Sequence, residues 1–120
     1  MIWVITSDLL LGECVVRALP DYEVRVLGDV FTAIEQIDDA APEMIFLDLL
    51  LTGPDGFTFL NEIASYPETS KIPIVTISDL DLSGQDLQIY GVVGKLQKDT
   101  MAPEMMRDLA QKYTKTLKEA

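Results

Sequence analysis

Met44-Ile45-Phe46-Leu47-Asp48, followed by Gly53-Pro54-Asp55-Gly56 and then by Phe57, Leu60, Ile63 and Ala64, is the stretch that decides the fold. Four consecutive apolar residues introduced by Pro42 make a strand buried on both faces, as strands of parallel sheets are. Gly-Pro-Asp-Gly is dense turn chemistry. The apolar spacing that follows is helical. The unit is strand, turn, helix, and it recurs outward in both directions. Upstream, Ile2–Ile5 is an apolar run closed by Thr6 and Ser7, and Leu11, Cys14, Val15 and Ala18 form a helical stripe that Pro20-Asp21 ends. Tyr22, Val24 and Val26 alternate with Glu23 and Arg25, the pattern of an edge strand with one wet face. Val30, Ala33, Ile34 and Ile37 make the next stripe. Downstream, Ile72–Ile77 is a fourth strand ending at Ser78, and Val92-Val93 opens a short fifth that reaches about Gln97. Met106, Leu109, Tyr113 and Leu117 mark a closing helix. Asp79 to Tyr90 has the poorest helical pattern. It has a start signal at Ser83 with Asp86 three residues on, but contains Gly84.

Five strand–helix repeats imply a doubly wound α/β domain, a parallel sheet with helices on both faces. The wet second strand suits a sheet edge, so the expected strand order is 2-1-3-4-5, with five helices over residues 1–120 as one domain. The Asp79–Tyr90 segment is expected to be the least ordered of these helices, or less than a full one.

Composition narrows the function. The 120 residues hold one cysteine and no histidine. That excludes an internal disulfide, a thiolate zinc cluster and any nucleophile paired with histidine. Nine basic side chains stand against twenty acidic ones, a net of −11. Residues 1–94 carry three basic and sixteen acidic side chains, while 95–120 carry six and four. So acidic a body repels phosphate backbones, and direct nucleic-acid binding is not expected. No apolar run reaches the roughly 18 residues of a membrane span. Met1–Leu11 is broken by Asp8 and lacks the basic leader of a secretory signal. A cytoplasmic protein is the expectation.

In doubly wound sheets ligands bind outside the carboxyl ends of the strands. The residues there are Thr6, Ser7 and Asp8; Asp48; Ser78; Gln97 and Lys98. Asp48 ends a buried strand and opens a loop, so it is either a turn aspartate or a reactive carboxylate. As a nucleophile it could take a phosphoryl group as an aspartyl phosphate. That chemistry calls for a cation, usually Mg²⁺ on one or two carboxylates, with a fixed positive charge and a hydroxyl for the phosphoryl oxygens. Lys98 and Ser78 stand at the matching ends of other strands.

The chain resembles, over essentially its whole length, the receiver domain of bacterial two-component response regulators, which has a flavodoxin-like fold. Asp48-Leu49-Leu50-Leu51-Thr52-Gly53-Pro54-Asp55-Gly56 is similar to the family's D-x-x-x-P-x-x-D/N-G, with Thr52 where proline is usual. Ser78 stands at the switch position. Gly91, Gly94 and Lys98-Asp99 match G-x-x-G-Y-L-L-K-D, with Lys95 where an aromatic is expected. The resemblance implies that Asp48 is the phosphoacceptor and that Ser78 and Lys98 contact the phosphate. It implies Mg²⁺ as cofactor and a sensor histidine kinase or phosphotransfer protein as partner. It also implies an output protein or attached output domain, reached through the fourth helix, fifth strand and fifth helix. It implies no enzyme activity of the domain's own.

The departure is at the first strand, where receivers carry two adjacent acids for the cation. One register puts Thr6 and Ser7 there; a register one residue later makes the pair Ser7-Asp8 and keeps Asp8 as a ligand beside Asp48. Either way the site is short of carboxylate and Mg²⁺ is expected to bind weakly. Two alternatives follow: a degenerate receiver that binds proteins without phosphorylation, and a small flavodoxin-like redox protein. The latter is disfavoured because Thr6 to Leu11 is too acidic and apolar to cradle a cofactor phosphate. Cys14 is expected in the core, and so is Trp3, in or beside the first strand. The methionines, Met105-Met106 among them, are expected as core filler, and the lysines of the last helix as a solvated face.

Overall fold

The computed structural model describes residues 1–49, 54–79, 84, 86–115 and 117; Leu50–Gly53, with Thr52, and the expected helix start at Ser83 lie outside them. Five strands form one sheet: β1 (Ile2–Ile5), β2 (Val24–Leu27), β3 (Met44–Asp48), β4 (Ile74–Ser78) and β5 (Val92–Gln97). The order is β2-β1-β3-β4-β5. Every pairing is parallel. Among the described residues four α-helices accompany it: α1 (Leu9–Ala18), α2 (Val30–Ile37), α3 (Pro54–Ala64) and α4 (Pro103–Tyr113). The strand order is the expected one, and the wet second strand does lie at an edge.

Alternate residues of each strand face opposite layers, and the core divides accordingly. Trp3, Ile5, Ile45, Leu47 and Ile74 pack with Val30, Ala33 and Ile37 of α2 and Phe59, Leu60 and Ile63 of α3. Ile2, Val4, Met44, Phe46, Val75 and Ile77 pack with Leu11, Val15 and Ala18 of α1 and Met106 and Ala110 of α4. Full burial of each large apolar side chain contributes about 1.5–3 kcal/mol. Ile2–Ile5 of β1 and Met44–Leu47 of β3 read as unbroken apolar runs because both layers are apolar.

Five α-helices were expected; among the described residues there are four, plus a three-residue 3₁₀ helix, Gln88–Tyr90. It closes on Gly91, whose φ of 81° is left-handed. A Cβ there would also sit 3.3 Å from the Ile72 carbonyl oxygen. A second glycine of the same motif, Gly94, lies under α4, where an added Cβ would be 3.3 Å from the Leu109 side chain. Between Ile74 and Val75 the β4–β5 register shifts, so Ile74 pairs with Val92 but Val75 with Gly94. That extra residue sets which face Lys95 and Gln97 share with Thr76 and Ser78.

Several expected core positions are corrected. Cys14 is exposed. The buried stripe of α1 is Leu11, Gly12, Val15 and Ala18; at about 100° per residue Cys14 falls off its edge. Phe57 is exposed while Phe59 is buried, because α3 turns its 59–60–63 face inward. Val26 is half-exposed on β2, and Leu27 instead joins the core. Met106 is buried but Met105 is exposed. The last helix ends at Tyr113, where Thr114 is extended, and Leu117 is exposed beyond it. Trp3 is wholly buried in β1, as expected.

Candidate functional site

The carboxyl ends of β1, β3, β4 and β5 converge on one place. Ile5 pairs with Leu47, which puts Thr6 level with Asp48. Asp48 pairs with Ile77, and Ser78 stands one step further along β4. Ser78 pairs with Gln97, and the Lys98 amide donates to the Ser78 carbonyl at 2.9 Å. Thr6, Asp48 and Ser78 are all buried. Three polar side chains at the ends of apolar strands are a cost that a plain core would not carry.

Asp48 is the centre. Its residue is 1 % exposed. The Thr6 hydroxyl donates to its Oδ2 at 2.7 Å, and the Lys98 ammonium makes an ion pair with the same oxygen at 3.6 Å, its side chain 19 % exposed. A carboxylate this deep needs such partners, since an unpaired buried charge is expensive. The Thr6 oxygen in turn accepts from the Asp8 amide at 3.0 Å.

Asp8 is turned elsewhere. It is the N-cap of α1, and its Oδ1 accepts from the amides of Leu10 at 3.0 Å and Leu11 at 3.3 Å. An aspartate immediately before a helical stripe is a cap signal, and that signal was readable in Asp8-Leu9-Leu10-Leu11. Ser7 between them is exposed. Of the three residues that close β1, only Thr6 meets Asp48 among the described contacts. One of the two registers open from the sequence makes Thr6 a neutral substitute for an acid; neither gives a sign that Thr6 itself bonds Asp48.

The donor set does not fit a cation cage of three carboxylates. The Oδ2 of Asp48 carries a hydroxyl donor and an ammonium, Asp8 faces helix amides, and among the described residues no three acidic, cysteine or histidine side chains gather as metal ligands. What the arrangement offers is a buried carboxylate with a cation beside it, and a hydroxyl on the neighbouring strand. No described helix is long and apolar enough to cross a membrane.

The response regulator receiver domain family matches residues 9–110. The chain belongs to that family, and so to two-component signal transduction. It is 37% identical over 67 residues to response regulator PleD of Caulobacter vibrioides, a match covering 56% of this chain and 15% of PleD. Over 84 residues it is 36% identical to protein-glutamate methylesterase/protein-glutamine glutaminase 3 of Geobacter metallireducens, covering 66% of this chain and 23% of that protein. The chain thus spans less than a quarter of either relative. In fold it is similar to the receiver domain of NtrX from Brucella abortus, with a TM-score of 0.80, 24% identity and coverage of 94% and 97% of the two chains. It is similar also to the Mn²⁺-bound form of response regulator Rcp1, with a TM-score of 0.78, 22% identity and 98% of each chain covered. Receiver domains are in general not enzymes, bind Mg²⁺, are phosphorylated by kinases or phosphotransfer proteins and are often attached to output domains.

Proposed function

We propose that residues 1–120 form one receiver domain in which Asp48 accepts a phosphoryl group from a sensor histidine kinase or a phosphotransfer protein. The supporting observation is the buried Asp48 carboxylate, ion-paired with Lys98 at the convergent ends of four strands. In the proposed step a carboxylate oxygen of Asp48 attacks the donor's phosphorus. The donor's bond to phosphorus breaks and its electron pair leaves with the donor, giving an acyl phosphate. Lys98 then neutralises charge on the phosphoryl oxygens, and the Ser78 hydroxyl donates to one of them. The output is an effector protein or attached domain, reached through the 79–90 segment, β5 and α4. The place of action is the cytoplasm, without direct nucleic-acid contact, since residues 1–94 are strongly acidic. Mg²⁺ is held in the millimolar range or weaker, about −4 kcal/mol or less favourable, by Asp48 with Asp8 as its one acidic helper. Few anionic oxygens are offered to a cation that gives up water reluctantly.

The test is intact-mass analysis after incubation with a small phosphodonor and Mg²⁺. One phosphoryl adduct is expected on the unmodified chain and none on Asp48→Asn. An adduct that persists in the variant would place the acceptor elsewhere. No adduct on the unmodified chain would favour the second reading, a receiver that binds partners without phosphorylation. Thr6 at the place where the family carries an acid is the observation that favours it.

A further inference from the structure

We propose that Thr6 is a positioning residue, whose hydroxyl holds the Oδ2 of Asp48 and competes with a divalent cation for that oxygen. The proposal rests on the reading above only in taking Asp48 as the functional carboxylate. A threonine hydroxyl has one hydrogen to give and two lone pairs to receive. One lone pair of Thr6 is taken by the Asp8 amide at 3.0 Å, a contact within the turn that joins β1 to α1. With the oxygen tethered there, its hydrogen is directed to Asp48 Oδ2 at 2.7 Å, a well-formed O–H···O distance. Strand register fixes both ends, since Ile5 and Leu47 are paired and the two side chains leave adjacent strands one residue later. Burial of both residues keeps water from replacing either partner.

Lys98 shares the same oxygen at 3.6 Å. A cation drawn to Oδ2 therefore meets a hydrogen-bond donor and an ammonium already in place. Mg²⁺ requires oxygen ligands at about 2.0–2.1 Å in near-octahedral geometry. To reach Oδ2 it must turn the Thr6 hydroxyl away and break a charge-assisted bond. Asp8 offers little compensation, since its Oδ1 is already taken by the two amides that it caps. The hydroxyl thus does at rest what a cation would otherwise do: it stabilises the negative oxygen and fixes the carboxylate's orientation.

The experiment titrates the full chain with Mg²⁺ alone, by calorimetry, for the unmodified protein, Thr6→Val and Thr6→Ser. Valine keeps the shape and removes the donor, so Mg²⁺ binding is expected to tighten roughly tenfold to thirtyfold, the worth of a hydrogen bond to a charged group. Serine restores the hydroxyl, and its affinity should match the unmodified protein within about twofold. Weaker binding in Thr6→Val would make the hydroxyl a ligand and overturn the proposal; so would unchanged binding. Should Thr6→Val not fold, NMR of the unmodified protein decides. The buried Thr6 hydroxyl proton should give a resonance that fades as Mg²⁺ is added; its persistence at saturation overturns the proposal equally. None of these readings depends on phosphorylation. Failure of Asp48 to take phosphate with the expected Mg²⁺ order would sink the acceptor reading alone, and an adduct with the wrong order would sink this one alone.

Discussion

Two carboxylates bracket β3, and each joins distant parts of the chain. Glu43, just before the strand, receives the Met1 ammonium at 3.2 Å on Oε1 and the Lys115 amide at 3.0 Å on Oε2. Asp48, at the strand's other end, receives the Thr6 hydroxyl and faces Lys98. The chemistry of the group is the same and its surroundings are not. The Glu43 side chain is 31 % exposed in its ion pair and that of Asp48 is 0 %. Water screens the first, so its ties gather the chain ends at little gain or cost. Bulk solvent does not reach the second, so each partner there matters, and so costly an arrangement supports the site proposed at that end of the sheet.

The largest effect should come from removing the cation of the buried pair. Lys98→Met takes the ammonium away from the buried Asp48 carboxylate, and about 3 kcal/mol of stability should be lost in urea unfolding. Adding Asp48→Asn should recover most of that, because a neutral amide has no need of an ammonium. Equal losses in the single and double variants would mean that Lys98 acts by packing alone.

Thr6→Val should come next, costing about 2 kcal/mol in the same assay, the usual worth of a hydrogen bond to a charged group. A loss no greater than that of Glu43→Gln would erase the contrast between the two ends. Glu43→Gln itself should change stability by less than about 1 kcal/mol, and less again in high salt.

The smallest effect belongs to a fully solvated carboxylate. Asp29 caps α2, accepting from the Thr32 amide at 2.7 Å and the Thr32 hydroxyl at 3.0 Å. The amide first, and then the hydroxyl, hold its carboxyl below the usual carboxylate range. A folded-state value lower than the unfolded one stabilises above the unfolded value, and that contribution is lost as pH falls through the folded one. Asp29→Asn should therefore slightly lower the thermal midpoint at neutral pH and converge on the unmodified protein in strong acid. A gap that stays constant with pH would show that the charge contributes nothing.

Much of this molecule was legible in its sequence, for reasons particular to each element. Ile2–Ile5 and Met44–Leu47 are apolar without interruption and Ile74–Ile77 is broken only by Thr76, runs of the length and kind that strands covered on both faces use. Asp48, Ser78 and Lys98 followed as strand-end residues because a parallel sheet carries its polar groups where the strands stop. The helix faces were less legible. Cys14 fits the stripe of α1 by spacing, yet the helix is rotated so that Gly12 lies against β2 instead, with Val26 within 3.0 Å of an added Cβ. Phe57 and Phe59 are equally apolar, and only contact with the sheet chooses between them.

The sequence by itself determined the strand–helix alternation, the parallel sheet and the residues at its carboxyl end, because apolar periodicity and turn residues act locally. Tertiary structure alone decided what those residues do to one another. Thr6 and Asp48 are 42 positions apart, and nothing local to either announces a bond between them. Asp8 is as acidic as a cation ligand needs to be, but the first turn of α1 claims it with two amides. Hydrogen bonds are short and directional, so which donor meets which carboxylate oxygen is settled only when strand register and helix ends are fixed together.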